Sequence, residues 1–428
     1  MARERGSNVL GALAFESAYG VAPASGFMLM PFVTSDVGDE QGLIESDLIG
    51  QGREPLAPSR DVINNRGDIA VPVDLRFFGR WLRAFLGAPT TTQGRAATGS
   101  ITFSAQPADN STITVGGQAF TFVSSAPTAN QIPKGATLAE TVANAVRTLR
   151  ASAVAGVTAA SYRSNLTGTA ILITHNTIGT GGNSFALAVG TSPAPNATAS
   201  GSTLSGGVTS GPYNHVFESG ALTLPSVSLE IGMPSVPRFA MNRGGMINTL
   251  QIDLARSGNL NARLGTVFQG EYPAATTQTG SLTAAYALER FNQFTGYIER
   301  DGVVVGDLVS GSIQASNNYD VVETIRPDGR IAGGDPGMFM VSGQAVVRFG
   351  DSDLMALAEA DATVDLVYGW QISADKRLMI RAPRVHLPKP KASVTGPGGI
   401  QQTYDWQGSK GAAGRALIVS LTNDVASY

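Results

Sequence analysis

The sequence predicts a mainly β chain (α+β in class). It reads as a tandem pair of β-sandwich or barrel domains, each with one flanking helix, and a small α+β module inserted in the first. Three observations predict this. The 428 residues include 51 glycines and 22 prolines, a density that fits many short strands joined by turns. A strand feeding an amphipathic helix occurs twice, with similar flanks in the same order. Between the two copies, residues 93–212 change composition to Ala, Ser, Thr and Gly with sparse charge.

Residues 1–40 hold Gly6, Gly11, Gly20, Pro23, Gly26 and Pro31 and read as an extended arm. Its apolar Leu10, Leu13, Phe15 and Tyr19 are expected to order only against a neighbouring subunit. The first domain takes residues 41–92 and 213–290. Its centre is Gly67–Pro89: Ile69, Val71 and Val73 alternate as a strand, then Leu75, Phe78, Leu82, Phe85 and Leu86 share one helical face opposite Arg76, Arg80 and Arg83. Gly87 and Pro89 stop the helix.

The second domain, 291–428, repeats the unit. Ala345, Val347 and Phe349 alternate, and Asp351 or Ser352 can cap a helix carrying Leu354, Leu357 and Ala358. The flanks agree: IESDLIGQGR ending at Arg53 resembles VVETIRPDGR ending at Arg330, and Ser226–Gly232 resembles Arg377–Pro383. Gly244, Gly245, Ile247 and Thr249 are echoed by Gly398, Gly399, Ile400 and Thr403, and both halves close on a pair of strands. Asp301-Gly302 marks a hairpin turn.

Within 93–212, strands are expected at Ile101–Ser104, Thr112–Val115, Ala119–Val123, Ala170–His175 and Phe185–Val189, with a turn at Gly116-Gly117. Leu138, Val142, Val146 and Leu149 recur at helical spacing, and Thr137 with Glu140 makes a capping box. In the second domain the helix leads straight to the strand TVDLVYGW. By analogy the first helix, ending at Gly87, is expected to lead to YNHVFESG at Tyr213, which makes 93–212 a loop insertion with adjacent ends, projecting from the surface.

The formal net charge is −3 and charged residues are 15% of the chain, so no basic field exists to hold nucleic acid, and a surface short of charge implies burial against partners. Cysteine is absent, which excludes disulfides and thiolate metal sites. His175, His215 and His386 stand in unrelated strand contexts with no metal-ligand spacing. Gly179–Asn183 lacks the lysine and helix of a phosphate loop and reads as a turn. The carboxylate pairs Glu45/Asp47 and Asp351/Asp353 have little specificity for a glycosidase, and Trp81, Trp370 and Trp406 read as core or interface. Lys389 and Lys391 make only a small basic spot. No run is long and apolar enough for a signal peptide or a membrane span, so synthesis in a cytoplasm is expected.

FESAYG at Phe15, GDIAVPVDLRFFGRWLRAFLGAPTTT, HVFESGALTLPSVSLEIG, RSGNLNARL, FNQFTGYIERDG, VETIRPDGRI, HLPKPK, GPGGIQQTYDWQ and LTNDV together resemble the tail tube proteins of long-tailed bacteriophages. The resemblance covers both domains but not 93–212, which is similar to decoration modules appended to phage tail proteins. It implies domains that stack as six-membered rings into a hollow virion tail tube through which double-stranded DNA passes, with no catalytic residue, metal or cofactor. Two such domains per chain imply trimeric rings with pseudo-sixfold symmetry. The arm would then reach the next ring, and the tape measure, terminator and distal tail proteins would be partners. The lumen is expected to carry more acidic than basic side chains, from Glu45, Asp47, Asp68, Asp74, Asp320 and Glu323, with Glu45 and Asp47 on one strand face. The alternatives are a virion decoration or adhesin protein and, behind it, a polysaccharide hydrolase.

Overall fold

The computed structural model describes residues 3–306, 308–348, 353–391 and 399–428. Phe349, Asp351, Ser352 and Gly398, named above for a strand end, a helix cap, a carboxylate pair and a glycine echo, lie outside the described residues.

In the first half β1 (Leu10–Phe15), β2 (Met28–Leu29) and β3 (Thr34–Ser35) precede the hairpin β4 (Gly38–Ile44) and β5 (Ser59–Pro72). Helix α1 (Phe78–Leu86) and β6 (Thr90–Phe103) follow. A lobe then holds β7 (Thr112–Val115), β8 (Gln118–Val123), β9 (Gln131–Pro133), α2 (Leu138–Arg150), α3 (Ala155–Thr158), β10 (Ala160–Ser164), β11 (Ala170–Ile178), β12 (Leu187–Val189) and β13 (Ala197–Ala199). The chain returns through β14 (Val208–Glu218) to β15 (Val227–Met233), β16 (Arg238–Leu254), β17 (Asn261–Phe268) and β18 (Gly270–Ala274). The second half has β19 (Gly296–Arg300), β20 (Val303–Val304), β21 (Leu308–Ser316), β22 (Asp320–Val322), β23 (Gly333–Asp335) and β24 (Met340–Arg348). Helix α4 (Asp353–Glu359), β25 (Val364–Ser373), β26 (Lys376–His386), β27 (Gln401–Gly408) and β28 (Ile418–Asn423) complete it.

Two antiparallel layers run through both halves. The first has the order β4-β5-β17-β16-β21-β24-β27. The second has the order β6-β14-β28-β26-β25-β19. Each crosses from one half to the other by strand pairing, β16 to β21 in the first layer and β14 to β28 in the second. The layers face each other across one apolar core. Ile69, Leu264, Ile252, Ile313 and Trp406 come from the first layer, and Phe217, Leu421, Ile380, Tyr368 and Trp370 from the second. Period-2 alternation in each strand supplies this buried face. Helix α1 lays Phe78, Trp81, Leu82 and Phe85 into the same core.

The repeat is visible in the pairing. β4 and β5 with α1 correspond to β21 and β24 with α4, and the resembling segments that end at Arg53 and Arg330 are the two connecting loops. β17 lies on β5 as β27 lies on β24. The strand after α1 differs from expectation: α1 leads into β6 at Thr90, and Tyr213–Val216 of β14 is its return partner, as β26 is of β25. Thus Arg377–Pro383 corresponds to β14, not to Ser226–Gly232. The latter lies in β15, between β1 and β16, away from the shared ladder.

Arg95 pairs with Val208, and residues 96–207 between them gather round a separate core of Ile101, Phe120, Phe122, Val142, Val146, Leu149 and Ile171. Thr137 accepts from the Glu140 amide while Glu140 accepts from the Thr137 amide, the expected capping box. The two-residue turns at Gly116-Gly117 and Asp301-Gly302 both have positive φ throughout, the type I′ geometry that Gly and Asp tolerate.

The N-terminal segment corrects the extended-arm reading. β1 pairs with β15 from Leu10↔Gly232 to Phe15↔Val227, Leu13 is fully buried in the main core, and the Arg83 guanidinium sits 4.2 Å from the Phe15 ring centre. Tyr19 is half-buried against Met246 and Ile331. The segment is ordered by its own chain, because the open edge of β15 supplies the backbone partners that a free arm would lack. Leu10 alone of the four named residues is exposed.

Candidate assembly and channel surfaces

Among the described residues none covers the outer face of the first layer, and strand alternation makes it polar. Rows of side chains cross it in register. One row runs Arg263, Gln251, Gln314, Ser342, Gln407; the next runs Asp253, Ser312, Gln344, Asp405. Thr249 and Ser316 form part of a third row, beside Gly265 and Asp68. Amides and hydroxyls dominate. Gln344 Nε2 donates to Asp405 Oδ1 at 2.9 Å, Gln251 Nε2 to Asp253 Oδ1 at 3.1 Å, and Arg263 Nε to Asp68 Oδ2 at 2.8 Å. In the strands of this face the carboxylates Glu40, Asp68, Asp253 and Asp405 equal in number the guanidiniums Arg60, Arg66, Arg263 and Arg348. Acidic and basic side chains are therefore balanced in number on these strands.

The acidic residues singled out from sequence are not brought together. Asp68 is on this face. Glu45 and Asp47 lie beyond the end of β4 in the exposed 45–58 connection, so strand alternation does not align them. Asp320 opens β22 and Glu323 follows it, both exposed, with Glu323 Oε1 3.8 Å from Arg66 Nη2. Asp74 is 2% exposed and cannot line a channel. It closes the start of α1: Oδ2 accepts from the Arg76 and Phe77 amides at 3.0 and 2.8 Å, and Oδ1 from Phe78 at 3.0 Å. Burial raises its pKa and these amides oppose the rise. The face itself was legible in Leu308–Ser316 and Gln401–Gly408, where Ser310, Ser312, Gln314 and then Thr403, Asp405, Gln407 alternate with apolar residues.

The two ends of this layer differ. At the Asn65–Phe268 end the β4–β5 hairpin continues past β17 for the six residues from Asn64 to Ser59, about 20 Å of strand. Its tip is apolar and exposed, with Leu43, Leu48 and Ile49 at 67%, 65% and 96%. The 323–330 segment stands beside it: the Ile63 amide donates to Gly329 O at 2.9 Å, and Arg330 Nη1 lies 2.9 Å from Asp39 Oδ1. At the opposite end, Phe291 backbone-bonds to Val73 and Leu260, and Phe294 stands exposed.

The lobe is fastened to the second half. Arg150 at the end of α2 donates to Asp365 Oδ2 at 2.5 Å, Arg163 Nη1 lies 3.3 Å from Glu299 Oε1, and the Ser164 amide donates to Gly302 O at 2.8 Å. Glu299 is buried, which raises its pKa against the pull of Arg163. His215 is buried between the halves. Its Nε2–H donates to Val425 O and its Nδ1 accepts from the Thr91 hydroxyl, both at 2.9 Å, and burial lowers its pKa. His175 and His386 lie elsewhere, and among the described residues no cluster of three or more His, Asp or Glu could hold a metal. No described helix is long and apolar enough to cross a membrane.

A family model described as phage tail tube protein matches the chain twice, over residues 6–203 and 177–408. A comparison with curated proteins finds no match.

Proposed function

The chain belongs to the phage tail tube protein family, a structural component of the virion tail that self-assembles into the tube, and from that premise we propose how it builds a conduit for DNA. The supporting observation is the uncovered polar face of the first layer. We assign it to the lumen. Three chains close into a ring with pseudo-sixfold symmetry, and rings stack. The two outermost strands of the layer, β4 and β27, carry backbone edges toward which a neighbouring copy can pair, in β27 over residues 401–406 because Gln407 and Gly408 already pair with β26, and such pairing closes the layer.

The chemistry of the face suits passage of a polyanion. A row of lysine or arginine would release counterions and hold DNA. Here the carboxylates across the layer equal the guanidiniums in number, and the intervening Gln, Ser and Thr present short neutral dipoles. Double-stranded DNA passes as transient cargo, and the tape measure, terminator and distal tail proteins contact the tube inside and at its ends. Residues 93–212 form an inserted module on the outer surface. Synthesis takes place in the host cytoplasm before assembly into the tail.

The test is electron microscopy of the purified protein, which should show hollow tubes with three chains per ring. A second arm adds a cationic row, Gln251→Arg with Gln314→Arg. Tubes should still form, and DNA release from virions carrying them should slow and depend more steeply on salt. Unchanged release would remove the first layer from the lumen.

A further inference from the structure

Resting on the tube reading, we propose that residues 423–428 are a strap that locks the second half onto helix α1 of the first, and that assembly depends on its closure. The strap starts where β28 ends, at Asn423. It returns across the seam between the halves and grips the start of α1. Asn423 Nδ2 donates to Leu75 O at 2.7 Å. The two oxygens of Asp424 accept from Arg76 Nε and Nη2, both at 2.7 Å, a bidentate pair. Val425 O accepts from His215 Nε2–H on β14.

Tyr428 closes the strap. Its hydroxyl donates to Arg76 O at 2.5 Å and accepts from Asn423 Nδ2 at 2.6 Å. Its ring meets His215 edge-on, with centroids 4.7 Å apart, and lies 6.2 Å from Phe217. Gly79 makes the room. Glycine is a poorer helix residue than alanine, and Gly79 has no positive φ to call for it. A Cβ at this position would strike the Tyr428 ring. The glycine in α1 is therefore explained by a partner nearly 350 residues away.

Two strand ladders cross the seam, β16–β21 in the first layer and β14–β28 in the second. The second ladder ends at Tyr213↔Asn423, where the strap begins. With the strap closed, both ladders are held and the angle between the halves is fixed. With it open, the end of β28 frays and the β16–β21 ladder becomes a hinge. A closed ring with pseudo-sixfold symmetry needs one constant angle, so the open form does not close rings.

The test uses Gly79→Ala in two backgrounds. In the unaltered chain it should lower the melting temperature, because the new methyl expels the Tyr428 ring. In Tyr428→Ala it should raise the melting temperature, because only the helix preference remains. Lowering in both backgrounds would overturn the strap. Assembly is read beside it by electron microscopy. Tyr428→Ala should be folded, by its amide spectrum, yet give few or no tubes. Addition of p-cresol, the side chain without its backbone, should fill the vacated space and restore them, but not in the Gly79→Ala, Tyr428→Ala double variant. If Tyr428→Ala does not fold, p-cresol should restore folding and tubes together. Tubes from folded Tyr428→Ala as abundant as from the unaltered chain, or no restoration by p-cresol, would overturn the proposal and leave the tube reading intact. Failure of the unaltered chain to form tubes would count against the tube reading instead.

Discussion

Asp74 shows how a single side chain is committed by the fold. Its carboxylate satisfies three amides at the start of α1, in a position closed to water. Asp74→Ala should cost about 2 kcal/mol in chemical denaturation, combining a lost cap with buried amides left unpaired. A loss under about 0.5 kcal/mol would mean that water reaches the site. His215 makes a pH prediction. Its folded pKa lies below the unfolded value of 6.5, so it contributes stability that is present above 6.5 and lost as pH falls through the lowered folded value. The unaltered chain should therefore lose more stability between pH 7 and 5 than His215→Gln, read as the difference between their melting curves. Equal slopes would place the ring in contact with solvent.

At the scale of elements, the lobe is both separable and fastened. Its own core and the Arg95↔Val208 pairing mean that 96–207 can be replaced by a short turn joining β6 to β14, as β25 joins β26. The remainder should fold and still form tubes; failure to assemble would give the lobe a part in ring contacts. The fastening is specific, since Asp365 accepts from both Arg150 and Arg381, the latter at 2.9 Å. Arg150→Ala with Arg163→Ala leaves Glu299 and Asp365 short of partners. Amide exchange should quicken in β10 and in 300–304 while β21 and β24 stay protected. Unaltered exchange would assign the fastening to the hydrogen bonds of Ser164 with Gly302 and Val304 and to the packing of Val303 on the lobe's core.

At the scale of the whole molecule, the halves are joined more closely than beads on a string. Both layers run through them, and Leu250, Ile313, Phe217 and Leu421 belong to one core. A chain cut in the 275–290 linker should therefore hold together as a non-covalent pair, and residues 291–428 expressed alone should aggregate through the exposed edges of β21 and β28. A soluble, cooperatively folding second half would show that each half is an independent domain.

The sequence by itself determined the local chemistry. Turns with glycine or aspartate at positive φ, the Thr137–Glu140 capping box, the alternating strands around Ile69 and the apolar stripe of α1 depend on neighbours a few residues away, and all are found, with α1 beginning at Phe78 so that Leu75 and Arg76 precede it. The repeat was legible because two copies of one fold keep the same order of local signals. Tertiary structure decided what depends on distant partners. Leu13 and Phe15 became a strand because β15 offers an open edge more than 200 residues later. Asp74 turned inward because α1 needed its amides closed, and β6 found its return strand only after the whole lobe. The polar face was written in the alternation of Ser312, Gln314, Thr403 and Asp405, but its continuity was not. Which strands lie side by side is set by long-range backbone pairing and by burial of the opposite face, and neither leaves a mark in any short window of residues.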